Sequence, residues 1–263
     1  MQKVSRSCPN CAGVAVTPLP KYSHPDWNTV QCLPCQLVYL DKAPLYESLS
    51  EDMAWSKQFA DEAKRRKQKE PWVSWLDQKT RWRLHIFRDD EWAYIARKIS
   101  TGKVLDIGCG NQNRIPTQFT PYGIEIEKQS AEQANVEMKK CGGHVIHAPA
   151  LTGLESFEDH FFDGIIMRSY LEHEANPREV LQACYNTLKP GGVIYVKVPN
   201  FDTINRIVRG INWCGFRFPD HLNYFGIRTM KQLAEAQNYQ FLLVNNLTRF
   251  TNDNLHCFLQ KPS

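Results

Sequence analysis

The sequence predicts an α/β fold: a mostly parallel open sheet ending in an antiparallel hairpin, behind a small cysteine-rich module. Three observations carry this expectation. From residue 103 onward short apolar runs alternate with helical patterns, as a parallel sheet requires. The last two apolar runs, 241–247 and 255–259, are joined by residues 248–254, too few for a parallel crossover. Near the start, Cys8-Pro-Asn-Cys11 and Cys32-Leu-Pro-Cys35 form two paired-cysteine knuckles.

The elements follow in order. Strand one is expected at 103–107 and strand two at 122–126, with only a short helical stretch between them, interrupted by Pro116 and Pro121. A helix at 128–140 stops at Gly142-Gly143. Strand three follows at 144–148 and strand four at 162–167. A helix at 177–188 tolerates Pro177 in its first turn. Lys189-Pro-Gly-Gly192 then turns into strand five, 193–198.

The chain between strands one and two carries the chemistry. Val104-Leu-Asp-Ile-Gly-Cys-Gly110 reads as a buried strand running into a tight turn, where Gly108 and Gly110 let the backbone approach a ligand. Glu125, at the end of strand two, is placed to accept from a ribose diol. A dinucleotide fingerprint needs a third glycine at position 113, which is Asn113, and the carboxylate of Asp106 would repel a pyrophosphate. A cationic adenosine cofactor suits that carboxylate, so S-adenosylmethionine is favoured over NAD.

Length and composition are compatible with this. The chain has 263 residues, enough for one large domain and a small module, and its hydrophobic share of 42% supports a sizeable core. A net charge of +4 permits an acidic partner without demanding one. No apolar run reaches the roughly 20 residues that cross a bilayer. The N-terminal residues lack the apolar region of a secretory signal, so a cytoplasmic location is expected, and nine cysteines are more consistent with metal binding than with disulfides. The CxxC–x20–CxxC spacing of Cys8, Cys11, Cys32 and Cys35 aims four thiolates at one point, a closed tetrahedral shell suited to structural zinc. The prolines and short apolar runs between the knuckles read as a β-ribbon. Most of the other five cysteines read as small buried residues.

The boundaries expected are 1–44 for the zinc-ribbon module, 45–99 for a helical linker that covers the sheet, and 100–263 for the cofactor-binding domain. The run from Lys64 to Lys69 reads as a solvated helix face, or more sharply as a phosphate-binding patch. Trp72, Trp75, Trp82 and Trp92 read as packing between the helical layer and the core.

The ordered segments from Val104 to Gly110, Gly123 to Glu127, Phe161 to Glu174, Leu188 to Asn200 and Asp220 to Phe225 resemble the class I S-adenosylmethionine-dependent methyltransferases. The closer resemblance is to a subgroup with Leu-Glu-His after strand four, a Pro-Gly-Gly turn and a His-Leu-x-Tyr-Phe segment, often preceded by a zinc ribbon. It implies a Rossmann-like, seven-stranded, mostly parallel sheet with an antiparallel last strand. It also implies that Asp106, Gly108 and Gly110 line the methionine part of the cofactor and that Glu125 holds the ribose hydroxyls. Arg168 and Ser169 would border the methyl group and the substrate entrance. The chain departs from the family at Gln112, where a third glycine is usual, and at 147–150, where an acid for the adenine is often found.

Methyl transfer to a hydroxyl needs a base. His221 is the candidate catalytic residue, and His173 is read chiefly as an organiser of the loop after strand four. Arg206, Arg209 and Arg217 are candidates for holding a phosphate or carboxylate. The expected function is methylation, on oxygen, of a small metabolite, sugar or lipid-linked intermediate. The Asp/Asn-Pro-Pro-Tyr/Phe tetrad of nucleobase amino methylation is absent after strand four. The alternatives are an RNA methyltransferase that grips nucleic acid through the ribbon and the basic run, and a binding protein that has kept the fold without catalysis.

Overall fold

A computed structural model describes residues 3–44, 91–244 and 246–263. The expected linker helices, the Lys64–Lys69 run and Trp72, Trp75 and Trp82 lie outside the described residues.

The main sheet contains β6 (Gly102–Ile107), β7 (Phe119–Glu125), β8 (His144–His147), β9 (Phe162–Arg168), β10 (Leu188–Pro199), β12 (Gln240–Leu243) and β13 (Asn254–Gln260). Their order across the sheet is β12-β13-β10-β9-β6-β7-β8. Pairings from β10 to β8 are parallel, and β13 runs antiparallel to both its neighbours. This is the Rossmann-like, seven-stranded sheet that the resemblance implies.

Alternate side chains fill the two faces, as a period of two requires. Leu105, Ile107, Ile165, Met167, Ile194 and Val196 join one buried cluster. Val104, Ile166 and Tyr195 join a second, with Ile95, Ile99 and the partly buried Trp92. The latter three belong to, or lie close to, α1 (Glu91–Ala96). The other α-helices among the described residues are α2 (Lys128–Lys140), α3 (Ala150–Leu154), α4 (Pro177–Thr187), α5 (Ile204–Arg209) and α6 (Ile227–Glu235).

Several expectations shift in detail. Pro121 lies within β7 rather than interrupting a helix, paired with Val104 of β6. The chain crosses from β6 to β7 by turns, braced where Asn113 Oδ1 accepts from Ile115 N at 3.0 Å. The Lys189–Gly192 turn is an irregularity inside β10, where the register shifts between Leu188 and Val193. β12 ends at Leu243, and Leu247 is fully exposed, so the run expected to 247 is shorter.

The N-terminal module forms β1 (Lys3–Ser5), β2 (Val16–Pro18), β3 (Thr29–Cys32), β4 (Val38–Leu40) and β5 (Lys42–Pro44). The ribbon does not stand apart. Its sheet runs β11-β4-β3-β2, where β11 (Asn223–Tyr224) comes from the far end of the chain. Ribbon residues Cys8, Val30, Leu37 and Tyr39 belong to the same buried cluster as Leu105 and Phe225. An aromatic cluster seals the join: Tyr22 stacks on Phe216 at 5.1 Å, and Trp213, Phe216 and Tyr224 are buried beside Trp27. No helix among the described residues is long and apolar enough to cross a membrane.

Candidate functional site

The sites lie at the C-terminal ends of the parallel strands, where open α/β sheets bind ligands. β6 ends in Asp106-Ile107 and β7 ends in Glu125, so strand pairing brings the two carboxylates to one edge. Between them Gly108 and Gly110 adopt φ of +72° and +68°, the left-handed region that glycine enters without steric cost. A Cβ at Gly110 would meet nothing within 4 Å, so the space over the turn is open. Glu125 is held rigidly: its Oε2 accepts from Gly110 N at 2.8 Å and its Oε1 from Glu127 N at 3.0 Å. Each oxygen keeps a further lone pair for a ligand.

Asp106 is 2% exposed, and its Oδ2 accepts from the Arg168 guanidinium at 2.6 Å. Burial pushes the Asp106 carboxyl up, opposed by the Arg168 charge. Burial also works against the Arg168 charge, but the adjoining carboxylate outweighs it and raises the guanidinium pKa. Trp92 lies 5.8 Å from the Arg168 guanidinium. Ser169, next in chain, has φ of +52°, an uncommon conformation for serine, fixed where its N–H donates to Lys197 O at 2.8 Å.

A second group assembles four residues past Arg168. Leu222 and Asn223 donate their N–H groups to Glu172 O at 2.7 and 3.0 Å, drawing the 220–224 segment against the loop after β9. His221 is 3% exposed and lies edge-to-face with His173, ring centroids 4.7 Å apart. Its Nδ1 donates to Gly215 O at 2.8 Å, and burial, with the nearby His173 charge, holds its pKa well below the ordinary histidine value. The ring is therefore neutral, with its lone pair on Nε2. His173 Nδ1 faces Asp220 O at 2.9 Å and Asp220 Oδ1 at 3.1 Å, so it ties two loops together, as an organiser does. Glu172 is 1% exposed and burial pushes its carboxyl up to about 7. The sequence signal for this residue was present in the Leu-Glu-His run, yet only the fold shows the carboxylate turned inward.

Two of the candidate arginines are engaged within the protein. Arg206 donates through Nε to Phe201 O and through a terminal nitrogen to Tyr22 Oη, and Arg217 pairs with Asp220 at 2.8 Å. Arg6, absent from the sequence reading, is half-buried and donates to Ala175 O and Asn223 Oδ1, both at 2.9 Å. Burial pushes its pKa down to about 10.

The four ribbon cysteines place their sulfurs within 4.8 Å of one another. Cys8 and Cys35 sulfurs are 3.4 Å apart, and those of Cys11 and Cys32 are 3.5 Å apart. A tetrahedral shell with Zn–S near 2.3 Å has edges of about 3.8 Å, so the cluster is close to closed-site geometry. Burial pushes the Cys35 thiol up to about 11, so the thiolates need a cation beside them.

A family model described as a methyltransferase domain matches residues 72–244. Among curated relatives, a ubiquinone biosynthesis O-methyltransferase of Idiomarina loihiensis is 30% identical over 55% of this chain and 64% of its own length. One of Cronobacter sakazakii is 31% identical over 47% of this chain and 52% of its own. The chain thus spans half to under two thirds of the length of these relatives. A SAM-dependent methyltransferase of Archaeoglobus fulgidus superposes with a TM-score of 0.50 at 18% identity, covering 72% of this chain and all of that one. One of Methanosarcina mazei gives 0.51 at 18%, covering 66% of this chain and 99% of the other. The family model takes in β6 to β12 and both carboxylates of the glycine turn, and the chain belongs to the methyltransferase domain family.

Proposed function

We propose that the protein is an S-adenosylmethionine-dependent methyltransferase that methylates an oxygen of a small metabolite, sugar or lipid-linked intermediate. The observation that carries this is the pair Asp106 and Glu125 flanking the open Gly108–Gly110 turn. The residues fit the cofactor: the buried Asp106 carboxylate already holds a cation and would take the ammonium, with Arg168 beside it for the carboxylate. Glu125 would accept from the ribose diol, and Ser169 would border the methyl end. When bound, the cofactor supplies an electrophilic methyl on a sulfonium. The protein's part is to position the acceptor in line and exclude water.

His221 stands at the same strand edge, tied through the 220–224 segment to the loop after β9. Its Nε2 lone pair is the group that turns the acceptor hydroxyl into a nucleophile. Oxygen methylation agrees with the activity for which the relatives are named. The four cysteines hold a structural zinc, since four thiolates leave no open position. Residues 1–44 and 100–263 form the ribbon and the catalytic domain.

The test is calorimetric titration with S-adenosylmethionine, then a screen of hydroxyl acceptors for release of S-adenosylhomocysteine. Micromolar binding with turnover on a hydroxyl compound is expected; absence of cofactor binding would overturn the reading.

A further inference from the structure

One potential ligand atom from each of Glu172, His173 and His221 lies within 4.8 Å of the others. The hydrogen bonds fix which atoms these are. His221 Nδ1 is 2.8 Å from Gly215 O, and a carbonyl can only accept, so Nδ1 carries the hydrogen. His173 Nδ1 is likewise committed to Asp220, at 2.9 Å to the carbonyl and 3.1 Å to Oδ1. Both rings therefore offer Nε2. His173 Nε2 is buried without a hydrogen-bond partner and lies 4.0 Å from Glu172 Oε1, beyond hydrogen-bond reach. Neither oxygen of the 1%-exposed Glu172 has a partner.

Two carboxylate oxygens and one imidazole nitrogen, all without hydrogen-bond partners, thus converge with His221 Nε2 on a buried point. Such an arrangement is costly in a low-dielectric interior unless something positive fills it. Two imidazole nitrogens and a carboxylate are a donor set for a divalent first-row transition metal rather than for magnesium or calcium. Histidines that bind metals commonly donate their other N–H to a carbonyl or carboxylate, as both rings do here.

We propose that Glu172, His173 and His221 bind a divalent cation of the zinc, cobalt or manganese class, separate from the ribbon's zinc. This rests on the methyltransferase reading above and assigns the His221 lone pair to the cation, so that the ring activates the acceptor through the metal instead of taking its proton. Three protein ligands leave coordination positions open. An acceptor hydroxyl oxygen that occupies one becomes more acidic, and its proton passes to bulk water before the oxygen takes the methyl.

Cobalt(II) is the probe, because thiolate ligation gives intense near-ultraviolet bands and nitrogen–oxygen ligation gives only weak visible ones. Full-length protein that retains its ribbon zinc by elemental analysis is titrated with cobalt(II). The expected result is one equivalent bound with weak visible bands alone, and affinity reduced roughly tenfold or more in Glu172→Gln and His173→Gln. Cobalt uptake only with thiolate bands, or none at all, by the wild-type protein overturns the proposal, as does unchanged affinity in folded variants. The wild-type stoichiometry decides the matter if the variants do not fold. Protein that binds S-adenosylmethionine but no cobalt refutes the metal site and leaves the methyltransferase reading intact. Protein that binds cobalt here but no S-adenosylmethionine does the reverse.

Discussion

The proposed cofactor edge and the proposed acceptor edge of this protein are built from contacts of very different span. On the cofactor edge Gly110 and Glu125, joined by a 2.8 Å hydrogen bond, are 15 residues apart. On the acceptor edge Arg6 and Asn223, joined at 2.9 Å, are 217 apart. The first is one strand–turn–strand unit whose geometry is set by glycines and strand pairing. The second exists only once the ribbon has docked, β4 has paired with β11, and Tyr22 has stacked on Phe216. The ribbon therefore serves as a wall of the methyltransferase domain, and a metal held by its four cysteines would shape a site made by the other end of the chain.

That contrast can be broken most forcefully at the ribbon. Cys32→Ser, or chelation of the wild-type protein, should release the zinc and remove on the order of 10 kcal/mol that metal binding contributes to such modules. Hydrogen exchange should then rise across residues 3–44 and also at Asn223 and Tyr224, while β6 and β7 stay protected. Exchange confined to the ribbon would show that the shared sheet does not couple the two.

The next largest effect is expected at His221. His221→Ala should lower turnover on a hydroxyl acceptor by about 10²–10⁴ with S-adenosylmethionine affinity nearly unchanged. Parallel loss of cofactor affinity in calorimetry would mean that the two edges are one site, not two.

Smaller and opposite in pattern are Asp106→Ala and Glu125→Ala. Each should weaken S-adenosylmethionine binding by about 1–3 kcal/mol, the range for hydrogen bonds to charged groups. The ribbon should keep its metal in both. Unchanged affinity in the two variants would misplace the cofactor.

The smallest change is expected at the outer layer. Lys197 and Glu91 pair at 2.5 Å, but their side chains are 27% and 24% exposed. Glu91→Gln should cost only about 0–1 kcal/mol in denaturant unfolding. A cost several times larger would show that α1 is tied to the sheet through this pair rather than through Ile95 and Ile99.

Legibility followed the same division. Asp106, the glycine turn and Glu125 could be found because a strand, a tight turn and a following acid leave a local pattern, and the cysteine knuckles because metal geometry imposes fixed spacing. β7 was placed too late in the chain because Pro121 reads as a breaker, yet its ring needs no N–H where it pairs with Val104 in the sheet. The candidate arginines 206 and 217 read as ligands for an anion because sequence shows charge and not its partners; Phe201 O, Tyr22 and Asp220 occupy them.

The sequence alone determined the sheet, the turn with its two carboxylates and the four-cysteine cluster, since each rests on neighbours within one or two adjacent elements. Only the tertiary structure decided that Arg6 would reach Ala175 and Asn223, that Glu172 would face inward without a partner, and that His221 would stand neutral beside His173. Those outcomes depend on burial and on hydrogen bonds closed across much of the chain. Neither is encoded in local periodicity, because desolvation is a property of the packed whole.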